Sequence, residues 1–260
     1  MILDDIAAKT KKRLDLIDDK KRLDMESKAY KIPFSKSFSF FKALSKPDLS
    51  FIAEVKKASP SKGLISKDFD ALKTAKEYEE IGIDAISVLT ERDYFLGSPG
   101  YLKEISKEVS TPLLRKDFII DRYQIHEAKV IGASAILLIC ALLDEKTLGL
   151  FYKEATALNL DVLVEAHSRD EIEMALSIDA KIIGINNRNL KTFKVDLSNS
   201  ERMRKFIPKN KIMVSESGYS TREDIVRAVE SGVDAVLIGE SFMKSKSKEK
   251  LFNSLKGLNI

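Results

Sequence analysis

Tryptophan is absent from this chain, cysteine occurs once, at Cys140, and histidine twice, at His126 and His167. A single cysteine permits no intrachain disulfide and suits a reducing compartment, so a cytoplasmic location is expected. So few histidines and cysteines argue against a His/Cys metal centre. No Ser-His-Asp arrangement is legible either, because His126 falls in a helical pattern and His167 just past a strand pattern. Long hydrophobic runs are missing: the longest, roughly Ala133–Leu143, is too short to span a bilayer, and the first residues hold no apolar signal core. Neither sign of charge dominates. A net charge of +4 is too mild to point to nucleic acid without a concentrated patch. The phosphate fingerprints G-x-G-x-x-G and G-x-x-x-x-G-K-[ST] do not occur.

What is present suits a soluble globular chain with a sizeable core: 260 residues, 44% hydrophobic and 32% charged, enough for one large α/β domain or two small ones. Residues 1–45 stand apart. Ile2, Ile6, Leu14, Leu16, Ile17, Leu23 and Met25 are spaced as on amphipathic helices, with Lys9, Lys11, Lys12, Arg13, Lys20, Lys21 and Arg22 on the polar sides. A nucleic-acid or membrane arm would use those bases. A solvated helix face packed on the main domain is the better reading, because Asp4, Asp5, Asp15, Asp18, Asp19 and Asp24 are mixed among them. Phe34, Phe38, Phe40 and Phe41 read as hydrophobic anchors leading into the domain.

From Phe51 onward a unit recurs: a short β-branched run, a turn, then a helical pattern. Strands are predicted near 51–56, 84–90, 112–118, 135–140, 161–166, 181–186, 211–217 and 235–241. Helices are predicted near 68–81, 100–109, 121–132, 144–158, 168–178, 198–206, 220–231 and 246–256. Asp121 is a helix-entry signal, and Ser168 with Glu171 and Thr221 with Asp224 read as capping boxes. Gly82, Gly132 and Gly232 fall where C-cap glycines do. Each opens an internal echo: G-I-D-A, G-A-S-A, G-V-D-A. Eight such units match an α/β closed (β/α)8 TIM barrel, residues 46–260, with an N-terminal helical extension, residues 1–45, as a single domain overall. An open doubly wound sheet is the rival, and the missing Gly-rich fingerprint leans against it.

The strands carry charge where a covered parallel strand should be apolar. In FIAEVKKASPSKG, Glu54 and Lys56 lie two apart and so point the same way. PLLRKDF carries Lys116 in line with Leu114 and Phe118. VLVEAH carries Glu165, GINNRN carries Asn186 and Arg188, VSESG carries Glu216, Ser217 and Gly218, and LIGES carries Gly239 and Glu240. All lie at or near the C-terminal ends of strands, which in a barrel converge on the mouth where active sites sit. An isolated pair would be a structural ion pair; charges from the first, third, fifth, sixth and seventh strands together make a rim suited to lysine and carboxylate acid–base work. A Schiff-base role competes for Lys116. Cys140 reads as a small buried hydrophobe. Gly218 and Gly239, followed by helical patterns after adjacent strands, suit a phosphate on backbone N–H groups, with Ser59 adding a hydroxyl.

The stretches IAEVKKASPSKG, LLRKDFIID, DVLVEAHS, IGINNRNL, VSESG and LIGES stand in the order and spacing of the indole-3-glycerol-phosphate synthase family of tryptophan biosynthesis. The chain resembles that family from about residue 30 to its end, in the monofunctional form, and its basic N-terminal segment resembles the family's extra helices. The resemblance implies a ring closure with loss of carbon dioxide and water from 1-(2-carboxyphenylamino)-1-deoxyribulose 5-phosphate, with no metal or organic cofactor. It implies Lys116 as the general acid on the ketone oxygen, and Glu165 and Lys56 assisting dehydration. Glu54 would pair with a lysine and hold substrate hydroxyls, and Asn186 and Glu216 would orient the intermediate. Arg188 would meet an anionic group, Ser59, Ser217, Gly218, Gly239 and Glu240 would surround the phosphate, and Phe118 and Leu190 would flank the aromatic ring. The expected partner is a small phosphorylated substrate, with no nucleic acid or membrane, for a monomer or weak dimer. Another sugar-phosphate isomerase or aldolase barrel is the alternative.

Overall fold

The computed structural model describes residues 2–33, 40–66, 68–189 and 192–257. Among them the strands are β1 Ser50–Val55, β2 Ala85–Leu89, β3 Leu113–Lys116, β4 Ala135–Ile139, β5 Asp161–Ala166, β6 Ile182–Asn186, β7 Ile212–Glu216 and β8 Ala235–Ile238. Each pairs in parallel with the next, and β1 pairs with β8, so the sheet closes into the expected barrel. A short antiparallel pair, Ala58–Ser59 with Gly63–Leu64, forms in the loop after β1. Before the barrel come α1 Ile2–Asp15, α2 Asp19–Lys31 and α3 Phe40–Leu44. Between strands run α4 Ala71–Glu80, α5 Pro99–Ile105, α6 Arg122–Val130, α7 Glu145–Ala157, α8 Arg169–Ser177, α9 Ser198–Arg204 and α10 Arg222–Glu230. After β8 come α11 Glu240–Lys244 and α12 Lys248–Lys256.

Strand alternation divides the core in two. Ile52, Leu114, Leu137, Ile139, Leu163, Ile182, Ile212, Val214 and Leu237 fill the interior of the barrel. Their neighbours Phe51, Val88, Val162, Val164, Ile183, Met213 and Val236 belong to the cluster that meets the surrounding helices. Both faces are covered, which is why the strands read as nearly unbroken apolar runs. Phe40 and Leu44 of α3 join the interior set, and the Phe41 N–H donates to Asp161 Oδ2 at 2.9 Å at the start of β5. The helix therefore plugs the end where the strands begin. Phe34 and Phe38 lie outside the described residues.

The internal echo has a physical reason. Gly82, Gly132 and Gly232 take positive φ after α4, α6 and α10 and turn the chain into the next strand. The third residue of each echo then accepts a hydrogen bond from the neighbouring strand. Asp84 Oδ2 accepts from Phe51 N at 2.8 Å, Ser134 Oγ from Leu113 N at 3.2 Å, and Asp234 Oδ2 from Met213 N at 2.8 Å. Each satisfies a donor at the first or second residue of a strand.

Several expectations are corrected. Strand eight ends at Ile238, and Glu240 begins α11, because Gly239 breaks the strand and the chain turns into a helix there. Strand three ends at Lys116, so Phe118 lies in the loop beyond it. The Thr221–Asp224 capping box forms. At Ser168 only half does: Ser168 caps the Glu171 N–H, while the Glu171 carboxylate accepts the His167 N–H instead, at 2.7 Å. Leu16 and Leu23, expected on apolar helix faces, are exposed, because Leu16 sits at the turn out of α1 and only Ala29 of α2 is fully buried. The bases of the extension are largely matched by acids, among them Lys11–Asp15 and Lys28–Asp24 within helices and Arg22–Asp121 at 2.9 Å against α6. Among the described residues no helix is long and apolar enough to cross a membrane.

Asp234→Ala leaves the buried Met213 N–H without its acceptor. It is expected to lower the unfolding free energy by about 1–3 kcal/mol in a urea titration, with an unchanged slope.

Candidate active site

The same alternation that points Ile52 and Leu114 inward points Glu54 and Lys116 inward one step further along, where the barrel opens. Glu54, Lys56, Lys116, Glu165, Asn186, Arg188 and Glu216 line one cavity of about 120 Å³, together with Ser59, Phe118, Ser217, Gly239 and Glu240. An adjoining open basin of about 680 Å³ is lined by Arg188, Gly218, Gly239 and Glu240, with Ser61, Lys62 and Lys244. Ser59, expected at the phosphate, borders the first cavity rather than this basin. Leu190 lies outside the described residues.

Two ionic groups organise the mouth. Lys56 Nζ stands 2.5 Å from Glu54 Oε2, and both side chains are largely buried. Lys116 Nζ stands 3.4 Å from Glu216 Oε2 and 3.8 Å from Glu165 Oε2. Burial by itself would push the Lys116 pKa down, but Glu216, Glu165 and Glu54 outweigh it and hold the ammonium above its usual range. Sequence reasoning had lysine and carboxylate drawing each other toward neutrality. Lys116 moves the other way, because several carboxylates face one lysine. Glu216 carries the compensating shift. Burial pushes Glu216 up to about 8; Lys116 opposes that rise, while Glu165 and Glu54 add to it. Neither Glu216 oxygen has a hydrogen-bond partner among the described residues, apart from the ion pair with Lys116. For Glu54, burial works upward, but Lys56 and Lys116 win and keep the carboxyl below its ordinary value.

Glycines make room for these groups. A Cβ on Gly239 would fall 2.5 Å from Glu54 Oε2 and 2.8 Å from Lys56 Nζ. The close approach expected there from a phosphate is made first by the ion pair. A Cβ on Gly184 would run into the Glu216 carboxyl. Ser217 holds φ 72, strained for a residue with a side chain. Asn187 braces it: Nδ2 donates to Ser217 O at 3.1 Å and Ser215 Oγ at 2.9 Å, while Oδ1 accepts from Ser200 Oγ at 2.8 Å. The Glu240 carboxylate accepts from Lys244 at 2.6 Å and lies 3.9 Å from Lys62, so it is engaged by two lysines of the basin.

Sequence reasoning missed several lining residues. Ile2, Leu3 and Ile6 of α1 reach the cavity, as do Leu89, Phe95, Leu137 and Ile139. Phe95 and Phe118 lie with ring centroids 6.0 Å apart. The loop holding Phe95 is built on Glu91, a buried carboxylate that accepts the N–H groups of Asp93, Tyr94 and Phe95 at 2.8–2.9 Å. The readable signal was an acidic residue directly after a strand, in LTERDYF. Arg115, buried on the outward face beside Lys116, pairs with Asp117 at 3.1 Å and Glu127 at 2.6 Å. Cys140 is a buried thiol, pushed up to about 12 by burial.

His126 lies away from the mouth, with Nε2 2.7 Å from Glu154. The ligand atoms of Glu26, His126 and Glu154 lie within 4.8 Å of one another. Arg122, at 2.9 Å from Glu154 and 3.5 Å from Glu26, already supplies positive charge there. His167 stands behind the mouth, its Nε2 3.6 Å from Glu165 Oε1.

A pH dependence follows from Glu216. Its folded pKa, about 8, lies above its ordinary value of 4.5, so between these values the folded state binds the extra proton and stability falls as pH rises. Glu216→Gln removes this slope: in urea titrations the parent is expected to lose stability relative to the variant as pH climbs from about 4.5 to about 8.

Comparison with known proteins places the chain among close relatives. The family model for indole-3-glycerol phosphate synthase matches residues 3–255. An indole-3-glycerol phosphate synthase of Endomicrobium trichonymphae is 52% identical over 257 residues, covering 98% of this chain and 100% of the relative. One from Thermoanaerobacter pseudethanolicus is 51% identical over 245 residues, covering 94% and 93%. Among solved structures, the 3-hexulose-6-phosphate synthase of Salmonella typhimurium superposes with a TM-score of 0.66 at 12% identity, covering 80% of this chain and 97% of that one. That last likeness concerns the fold alone.

Proposed function

The chain belongs to the indole-3-glycerol phosphate synthase family, and we propose that the residues around its mouth cavity divide that family's reaction between them. As an enzyme of this family it is a carboxy-lyase of tryptophan biosynthesis. It closes the ring of 1-(2-carboxyphenylamino)-1-deoxyribulose 5-phosphate, releasing carbon dioxide and water to give indole-3-glycerol phosphate.

When the carboxyl-bearing ring carbon attacks the ketone carbon, the ketone oxygen gains negative charge and needs a proton. Lys116 supplies it. The observation that carries this reading is the lysine's setting: a buried ammonium 3.4 Å from Glu216 and 3.8 Å from Glu165, facing the cavity. A preorganised cation in a water-poor site stabilises developing negative charge more than a hydrated one does. A Schiff base would need the neutral amine, and a raised pKa supports the acid instead. Glu216, pushed up to about 8, keeps a proton at neutral pH and serves to restore the lysine.

Loss of the carboxylate as carbon dioxide returns the bonding electron pair to the ring. The new hydroxyl then leaves as water, which needs a proton on the departing oxygen and removal of another from the ring system. Glu165 and Lys56 serve these transfers, with Lys56 aimed by its ion pair with Glu54. Asn186 orients the intermediate; its Oδ1 accepts the Arg188 N–H at 3.0 Å and so also fixes the turn to Arg188. Phe118, Phe95, Leu89 and Ile139 offer an apolar wall for the aromatic ring. The phosphate lies toward the basin of Gly218, Gly239, Lys62, Lys244 and Arg188, with Ser59 and Ser217 on the cavity side. Residues 1–45 act with the barrel as one domain, since α1 lines the cavity and α3 plugs the base.

Lys116→Ala is expected to lower kcat by about 1,000-fold or more with KM within about tenfold, because the proton is needed only in the transition state. The fluorescence of indole-glycerol phosphate formed from synthetic substrate measures it, and near-parental turnover would overturn the assignment. Gly239→Ala pushes directly on the Glu54–Lys56 pair, so kcat is expected to fall along with a rise in KM. A change confined to KM would show that the glycine serves the phosphate alone.

A further inference from the structure

His167 follows β5 two residues after Glu165, and nothing in the steps above uses it. Its ring is clamped from behind. The Glu171 carboxylate accepts the His167 backbone N–H at 2.7 Å and lies 3.3 Å from ring Nδ1. Glu171 is itself set by the entry to α8, where Ser168 Oγ accepts the Glu171 N–H at 3.3 Å. Nδ1 therefore carries its hydrogen toward Glu171, and Nε2 is turned toward Glu165 Oε1 at 3.6 Å. Nε2 is buried and has no hydrogen-bond partner among the described residues. The other oxygen of Glu165 faces Lys116 Nζ at 3.8 Å. The order in space is Lys116, Glu165, His167, Glu171: a carboxylate held between an ammonium and an imidazole, with a second carboxylate anchoring the imidazole.

We propose that His167 is a positioning residue for this reaction, its clamped imidazole holding the Glu165 carboxyl in the orientation that proton transfer requires. The inference rests on Glu165 acting as read above. The imidazole does not reach the cavity wall, so it acts through Glu165 and not on substrate. The ionisable groups around it are Glu165 on β5, Glu171 on α8, Glu216 on β7, and the Cys140 thiol, whose Sγ lies 3.5 Å from Glu171 O. The carboxyls face the ring directly, with the Lys116 ammonium beyond Glu165. Burial alone would lower the imidazole's pKa, but Glu171, Glu165 and Glu216 outweigh it and raise it. The protonated ring can donate from Nε2 as well as Nδ1, and that form is lost as pH rises. A half-formed contact at 3.6 Å leaves room for Glu165 to approach Nε2 as its charge changes during turnover, as hydrogen bonds in unliganded sites tighten along the reaction.

The test uses the whole chain and three variants. His167→Gln keeps a donor but cannot carry charge; His167→Ala removes both. Each is expected to lower kcat by about 10- to 100-fold with KM nearly unchanged, and His167→Gln to lose the part of the kcat pH profile that belongs to the imidazole. Parental kcat and profile in both would overturn the proposal, and if His167→Ala fails to fold, His167→Gln decides. The chain has two histidines, so NMR can follow the His167 ring directly. In Glu165→Gln its pKa is expected to move down, having lost a facing carboxylate; no movement would overturn the coupling. The activity of Glu165→Gln separates the two readings. An inactive Glu165→Gln beside fully active His167 variants sinks only the role of His167, whereas an active Glu165→Gln sinks the reading of the site beneath it.

Discussion

A cation shut inside a barrel must be met by polar partners, and Lys116 faces the carboxyl groups of Glu216 at 3.4 Å and Glu165 at 3.8 Å. Removing an ammonium from water is expensive unless partners surround it. With more carboxylate than ammonium nearby, the lysine stays charged and one carboxyl, Glu216, retains a proton instead. An ammonium and a proton-bearing carboxyl are thereby set side by side. The second pair, Glu54 with Lys56, is linked to the first, since Glu54 also helps hold Lys116 charged.

Much of the remaining structure supports this arrangement. Gly184 and Gly239 are small because Glu216 and the Glu54–Lys56 pair occupy the space where their side chains would be. Arg115, on the opposite face of β3, is tied to Asp117 and Glu127, and so fixes the strand segment from which Lys116 projects. Asn187 braces the strained Ser217 at the end of β7. α1 and α3 address opposite ends of the barrel, one at the mouth and one at the base. The extension is therefore part of how the site is enclosed. The echoed Asp84, Ser134 and Asp234 pin successive strands to each other, which holds the rim in register.

Reading along the chain located all eight strands, with errors at their ends. The misplaced limits came where a turn residue overrode an apolar run, as at Gly239, where LIGES leaves the strand and enters α11. The rim charges were legible because a charged residue inside a covered strand is anomalous on its own. The lining residues that escaped notice are ordinary in type. Ile2, Leu3 and Ile6 look like any amphipathic face, and Phe95 and Leu137 like any core positions. His167 carried no local signal, since its neighbour Glu171 sits in a helix and reads as half of a capping box.

The sequence alone determined which faces point inward, because a side-chain period of two and a charge at the end of an apolar run are local properties of the chain. It also determined the repeated turn chemistry, since a left-handed glycine and a side-chain acceptor two residues later act over a few bonds. The tertiary structure decided everything that depends on distance between segments. That includes the number of carboxylates facing Lys116, and so the direction in which its proton affinity moves. It includes the close approach of the Glu54–Lys56 pair to Gly239, and the reach of α1 into the mouth. Electrostatic and steric energies depend on separation in space, and closure of the barrel brings residues 54, 116, 165 and 216 around one cavity, which no reading of neighbours along the chain can supply.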